Sequence, residues 1–347
     1  MTTDTKELLA RLQRALPAMA ASVSAPAGVL GVTINGHATI AYHGEPLPGN
    51  HTAFEIGSIT KTMTALLLAD MTGRGEVGYD DPISTHLPPH AVPADPIAAG
   101  ITLRQLATHS AGLPPTPPNM TPPSAVGLNA GENPYQNYLL ADLYRATAAL
   151  TLDNAPGEQM TYSNFGAGLL GRLLANAVGR DWSDLVLERV CQPLGMHDTV
   201  TCHTTHCATG HRNGRSIAPI EMAALAPCGT LRCSPTDLLH YLHAQLDPDT
   251  SPLAGPLREV HQPYLPIEGR ESICPGWRHR RFRYGEVLFH SGGTLGMTAF
   301  AGFCPDAAVG VFALVNGTHI EGGTVTQSTY DLLKELARTH RNAPTLD

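Results

Sequence analysis

Apolar, β-prone runs sit at the two ends of this chain and helical periodicity fills the middle, and this distribution limits the folds open to it. Near the start, Gly28-Val29-Leu30-Gly31-Val32-Thr33-Ile34 and His37-Ala38-Thr39-Ile40-Ala41-Tyr42 flank Asn35-Gly36, the strongest short-range hairpin signal. Toward the end come Val287-Leu288-Phe289-His290, Met297 to Phe303 and Val309 to Val315, rich in β-branched and aromatic residues. One antiparallel sheet drawn from both ends, with helices inserted between, pairs these runs most simply. The expected fold class is therefore α+β. Residues 1–60 and 265–347 would form a sheet domain flanked by terminal helices at about Glu7 to Ala20 and Val325 to Arg338. Residues 61–264 would form a mainly helical domain.

Within the middle, Met63, Leu66, Leu67 and Met71 keep helical spacing from Ile59 to Gly73. Further helices are predicted over Ile101–His109 with Thr102 as N-cap, Tyr135–Leu150, Gly166–Val178, Trp182–Val190, and after Ser234 with Pro235 in the first turn. Leu113 to Pro134 holds seven prolines and reads as a long irregular segment of the kind used as a lid or binding loop. Residues 195–226 show no clear period and read as loop.

Charge and cysteine content narrow the function classes. The net charge of -8 argues against general affinity for nucleic acid or an anionic membrane surface. No run of about 18 apolar residues suggests a membrane span. The first residues, Met1-Thr2-Thr3-Asp4-Thr5-Lys6-Glu7, lack the pattern of a secretory signal, and seven scattered cysteines suit a reducing cytoplasm. One cluster, Cys202-His203-Thr204-Thr205-His206-Cys207 with His211 behind it, offers zinc-type ligands. Its spacing matches no standard zinc pattern, so it is read as a polar loop without metal, and no cofactor is expected.

The stretch with chemical character is Gly57-Ser58-Ile59-Thr60-Lys61. Ser58 and Lys61 are one helical turn apart, so hydroxyl and amine share a face. The residues after them are apolar almost all round, which predicts a buried helix and a lysine that must be paired or neutral. Such an amine beside a serine is one way to activate a nucleophile. By itself the tetrapeptide also fits an ordinary helix start with a solvated lysine.

Two other stretches change that balance: Tyr162-Ser163-Asn164 and His290-Ser291-Gly292-Gly293. With Ser58-x-x-Lys61 they make the chain resemble the serine β-lactamase and penicillin-binding-protein superfamily, in the branch of class C β-lactamases, D-aminopeptidases and carboxylesterases. The resemblance spans roughly residues 25 to 335, with supporting stretches at Leu106 to Leu113, Pro193-Leu194-Gly195-Met196 and Gly229 to Ser234. It implies Ser58 as nucleophile, with Lys61 and Tyr162 handling the proton. Asn164 would orient Lys61 and bind the substrate. His290, Ser291, Gly292 and Gly293 would form the facing strand, with the Ser58 and Gly293 N–H groups as oxyanion hole.

His290 stands where β-lactamases carry lysine. A histidine attracts a carboxylate only when protonated, below an unperturbed pKa of about 6.5. The resemblance then points to a small-molecule ester or amide rather than a carboxylate-bearing β-lactam. Hydrolysis, transfer to an amine or alcohol, and non-catalytic binding of an acyl ligand all stay open, as does the oligomeric state.

Overall fold

The amphipathic N-terminal segment forms helix α1 (Thr3–Ser22), which buries Leu12, Leu16, Met19 and Ala20 on one stripe. The predicted hairpin follows as β1 (Ala27–Ile34) and β2 (His37–Gly44); Asn35 and Gly36 at its tip have φ of 51° and 79°, the left-handed turn this dipeptide favours. The computed structural model describes residues 3–44, 48–120, 133–152, 155–318 and 323–341. A two-residue strand β3 (Phe54–Glu55) leads through one 3₁₀ turn, Gly57–Ile59, into α2 (Thr60–Gly73). Helix α3 (Leu103–Ala107) starts in a capping box of Thr102 and Gln105. Helices α4 (Leu140–Ala148) and α5 (Asn164–Val178) follow, then strands β4 (Gly210–Arg212), β5 (Arg215–Ile217) and β6 (Arg232–Cys233). Helix α6 (Pro235–Leu246) is capped by Ser234, whose Oγ accepts from the Asp237 N–H at 3.1 Å. The chain then gives β7 (Leu265–Pro266), β8 (Glu271–Cys274), β9 (Trp277–Phe282), β10 (Gly285–Gly293), β11 (Thr298–Cys304), β12 (Val309–Val315) and helix α7 (Thr324–His340).

Eight strands form one antiparallel sheet in the order β2-β1-β12-β11-β10-β9-β8-β7. The first and last long strands are neighbours, paired from Gly28 opposite Val315 to Ile34 opposite Val309. Strand alternation gives the sheet two apolar faces. Val309, Val311, Ala313 and Val315 pack with Leu12 and Leu16 of α1 and Leu333 and Leu336 of α7. Phe312 and Leu314, between them, belong to the core that includes Leu66 and Leu67 of α2. Each such side chain contributes roughly 1.5–3 kcal/mol when fully buried, so both chain ends are held by side-chain packing as well as by the ladder.

Three segments differ from expectation. The helix expected over Tyr135–Leu150 is confined to Leu140–Ala148, because the Asp142 carboxylate accepts the Leu139 N–H at 3.0 Å and fixes the start there. The loop expected over 195–226 contains the β4–β5 hairpin, turned at Asn213-Gly214 with φ of 50° and 73°. Its flanks, His211-Arg212 and Arg215-Ser216, have no apolar alternation, which hid the Asn-Gly signal. Strands β7 to β9 were not expected either. They carry Arg and Glu in place of β-branched residues, and Glu271 stands opposite Arg280 with a 2.6 Å ion pair. Most of the expected Pro-rich irregular segment, residues 121–132, lies outside the described residues.

Candidate active site

Helix α2 is buried almost all round, and Lys61 lies in its first turn with only 3% of its surface exposed. Its Nζ donates to Ser58 Oγ at 2.9 Å and to the Cys228 carbonyl at 2.7 Å. The pairing expected of a buried lysine is thus met by the serine one turn back and by a main-chain oxygen. Asn164, expected to orient Lys61, is not one of these partners. It begins α5, fixed by its N–H donating to Pro115 O at 2.9 Å, and its side chain lies against the Tyr135 hydroxyl. Burial pushes the Tyr135 phenol up to about 12, with the neighbouring Cys228 and Tyr162 adding to it and Asn164 opposing.

The 3₁₀ turn brings Ser58 against the end of β10. Strand β10 pairs with β9 only as far as Phe289, so His290 to Gly293 run on with that edge open. The Ile56–Ser58 backbone packs there. A Cβ on Gly292 would run into Ile56 O, and one on Gly57, whose φ is +51°, would lie 2.7 Å from Gly293 N. Only glycine allows the two main chains to approach so closely.

Tyr162 is the exposed member of the group, at 36%. The Lys61 Nζ stands 4.9 Å from its ring centroid, and the rings of His109 and His290 lie 4.5 Å and 6.2 Å away. His109 is buried, with φ of 55°, and brackets the tyrosine. Its carbonyl accepts the Thr161 N–H at 2.8 Å, and its Nδ1 accepts the Ser163 N–H at 3.2 Å. Burial, with Lys61 and His290 nearby, holds its pKa well below the ordinary imidazole value.

His290 departs from the sequence-based expectation. Its Nδ1–H donates to the Ser291 carbonyl at 2.7 Å, which leaves Nε2 as the acceptor nitrogen. Burial first, then Lys61, lower its pKa to about 3, with the bond to Ser291 opposing. The expected protonation near pH 6.5 therefore does not apply: the ring is neutral at pH 6 as at pH 8.

A cleft of about 300 Å³ opens at Ser58. Ser58, Asn164 and Gly293 line it, as do Tyr135, Arg212 and Thr294, which the sequence reading did not single out. His109 was also missed as a site residue, although its stretch was noted, because nothing in Thr108-His109-Ser110 announces contact with Tyr162. In the Cys202–Cys207 segment, Cys207 Sγ accepts from the Thr204 N–H, with Sγ 3.4 Å from the nitrogen. Among the described residues no group of three or more His, Cys, Asp or Glu is placed to share a metal ion.

The sequence model of the Beta-lactamase family matches residues 10–335, and the chain belongs to that family. It is 27% identical over 339 residues to the D-alanyl-D-alanine-carboxypeptidase/endopeptidase AmpH of Escherichia coli (strain K12), covering 90% of this chain and 86% of the relative. A Pseudomonas fluorescens protein named beta-lactamase is 30% identical over 232 residues, 65% of this chain and 60% of its own. Protein flp of Staphylococcus aureus (strain MW2) is 25% identical over 276 residues, 76% of this chain and 53% of its own. Family and relatives together give the chain a serine-hydrolase kind of activity on an α+β, β-lactamase-like fold. Among the described residues no helix is long and apolar enough to cross a membrane.

Proposed function

We propose that the protein cleaves a small-molecule ester or amide through an acyl-enzyme on Ser58. The observation that carries this reading is the buried Lys61 amine 2.9 Å from Ser58 Oγ and beside Tyr162. Ser58 Oγ attacks the carbonyl carbon, and its proton passes into the Lys61–Tyr162 pair. The N–H groups of Ser58 and Gly293 receive the oxyanion, and the close approach of Gly57 to Gly293 supports that pairing. When the carbonyl re-forms, the leaving group departs with the proton. Water then attacks the acyl carbon, its proton takes the same route, and Ser58 is released with the free acid. Asn164 and the His290–Gly293 strand edge hold the substrate. The relative named as a carboxypeptidase supports an amide alongside an ester. The seven unpaired cysteines, five of them buried, support a reducing compartment such as the cytoplasm.

The test is intact-mass spectrometry after a phosphonate, together with turnover of p-nitrophenyl butyrate. One adduct on Ser58 is expected, lost in Ser58→Ala, and Lys61→Ala and Tyr162→Phe should each lose about 10²–10⁴-fold in turnover. Labelling that survives Ser58→Ala refutes the reading. One equivalent of acylation without turnover would make the protein a binder, and ester or amide products formed with an added alcohol or amine would make it an acyltransferase.

A further inference from the structure

We infer that a cavity on strands β8 and β9, remote from Ser58, is a second ligand site that binds the phosphate group of a small phosphate ester or diphosphate; the inference is independent of the Ser58 reading. The chain has a net charge of -8, yet from Arg270 to Arg283 five arginines stand against one acid, Glu271. Three of them, Arg270, Arg281 and Arg283, line a cavity of about 530 Å³ with His279, Glu271, Pro266 and Phe282. It shares no lining residue with the cleft at Ser58. Strand β10 measures the separation. Glu286 lies opposite Arg281 near its start, and Gly293 ends it, roughly 23 Å further along at about 3.3 Å per residue.

Local structure gathers these cations. The Arg281 N–H donates to Arg270 O at 3.2 Å, which sets the two residues side by side. The rings of Phe282 and Tyr284, which flank Arg283 in the sequence, stack at 5.0 Å and brace the turn into β10. Glu271 does not cancel the charge of the cavity, because Arg278 and Arg280 hold its carboxylate, the latter at 2.6 Å. Arg281 gives Nε and Nη2 to Glu286 Oε1 at 3.0 Å and 2.6 Å and keeps Nη1. Arg270 and Arg283 are exposed and, among the described residues, form no ion pair. Exposed arginines alone would be a solvated rim; His279 gives this one a floor. It lines the same cavity with only 3% of its surface exposed. Its Nε2 stands 3.3 Å from Glu286 Oε2, and its Nδ1 has no hydrogen-bond partner among the described residues. A buried polar atom in that state is unfavourable, and a ligand in the cavity would meet it. Phosphate suits several converging guanidiniums, because it offers three acceptor oxygens and up to two charges, where a carboxylate satisfies one fork. The volume is in the range of small-molecule sites, so the phosphate comes with a carrier, packed on Pro266 and Phe282.

The test is calorimetric titration of pyrophosphate into wild type, Arg270→Gln, Arg283→Gln and the double variant. Wild type should bind with a dissociation constant below about 1 mM, weakened about 10-fold by each substitution and at least about 30-fold by both. Arg180→Gln, which removes an arginine outside the cavity, and Ser58→Ala should leave the affinity within about twofold. Turnover of p-nitrophenyl butyrate should be unchanged in Arg270→Gln and Arg283→Gln, which separates this site from the cleft. Malonate, a dicarboxylate of similar size, should bind at least about fivefold more weakly than pyrophosphate. Wild-type affinity in the double variant, an equal loss in Arg180→Gln, no saturable binding up to about 10 mM, or malonate as tight as pyrophosphate each overturns the proposal. Pyrophosphate binding that is lost in Ser58→Ala would place the anion in the cleft and overturn it too.

Discussion

Glu55, three residues before Ser58, accepts a 2.6 Å hydrogen bond at Oε2 from Thr294 Oγ1, one residue past Gly293. Its other oxygen accepts the Ile220 N–H at 2.7 Å, and Arg232 Nη2 stands 3.7 Å away. One buried carboxylate therefore ties the segment carrying the proposed nucleophile to the strand end carrying the proposed oxyanion donor.

Thr294→Val keeps the side-chain shape and removes this tie. It also strips the acceptor from the Gly296 and Met297 N–H groups, which reach Thr294 Oγ1 at 3.3 Å and 3.1 Å. Unmet buried polar groups cost about 1–3 kcal/mol, so urea unfolding should show a loss of that size. The oxyanion geometry matters most in the transition state, so kcat should fall about tenfold with a smaller change in KM. Thr294→Ser should restore both. Wild-type kcat in Thr294→Val would remove the tie from the catalytic account.

Lys61→Met separates chemistry from folding. The amine is buried on an apolar helix, where an ammonium is unfavourable, and methionine matches its volume. Ester turnover should drop at least about 10²-fold while unfolding free energy stays within about 1 kcal/mol or rises. A variant that loses activity and several kcal/mol together would make Lys61 a structural residue first.

His109→Phe tests the bracket around Tyr162. Phenylalanine keeps a ring tilted against Tyr162 but leaves the Ser163 N–H without its Nδ1 acceptor, at a cost of about 1–3 kcal/mol. With Tyr162 less firmly placed, kcat should fall while KM holds. His109→Asn, which can still offer an acceptor near the Nδ1 position, should recover part of kcat. Wild-type kcat in His109→Phe with a loss in His109→Asn would show that the ring, not the acceptor, is what counts.

The sequence made legible whatever rested on apolar period or on a box with local chemistry. Strands β1 and β12 could be read because Val29 to Ile34 and Val309 to Val315 are β-branched runs, and α2 because its apolar spacing is uninterrupted to Gly73. The pairing of Ser58 with Lys61 followed from helical spacing. What could not be read depends on contacts between distant segments. Arg212 reaches the cleft only because a polar hairpin docks on Gly296, and Cys228 serves Lys61 through a carbonyl that every residue has. The state of His290 was misjudged for the same reason: its low pKa comes from burial and from Lys61, 229 positions earlier in the chain, and neither is visible in His290-Ser291-Gly292.

That low pKa has consequences for stability and for selectivity. In the unfolded chain His290 takes up a proton near pH 6.5, whereas the folded ring, enclosed and facing Lys61 and Arg278, does so only near pH 3. Between these values the unfolded state binds more protons, so stability rises with pH across the window and is lost on acidification. The neutral ring's contribution is fully present above pH 6.5. Each such histidine gives a slope of up to about 1.4 kcal/mol per pH unit, and His109 and His261, also held low by burial, add slopes of the same sign. Urea unfolding of wild type and His290→Gln at intervals from pH 7.5 to pH 4.5 should therefore show the shallower acid loss in the variant, by about one proton's share. Substrate preference should behave oppositely: between pH 6 and pH 8 the ratio of kcat/KM for carboxylate and neutral esters should stay constant in wild type, since no His290 charge appears there. Parallel acid-loss curves for the two proteins, or a wild-type preference that grows several-fold from pH 8 to pH 6 and flattens in His290→Gln, would mean that His290 titrates near its ordinary value after all.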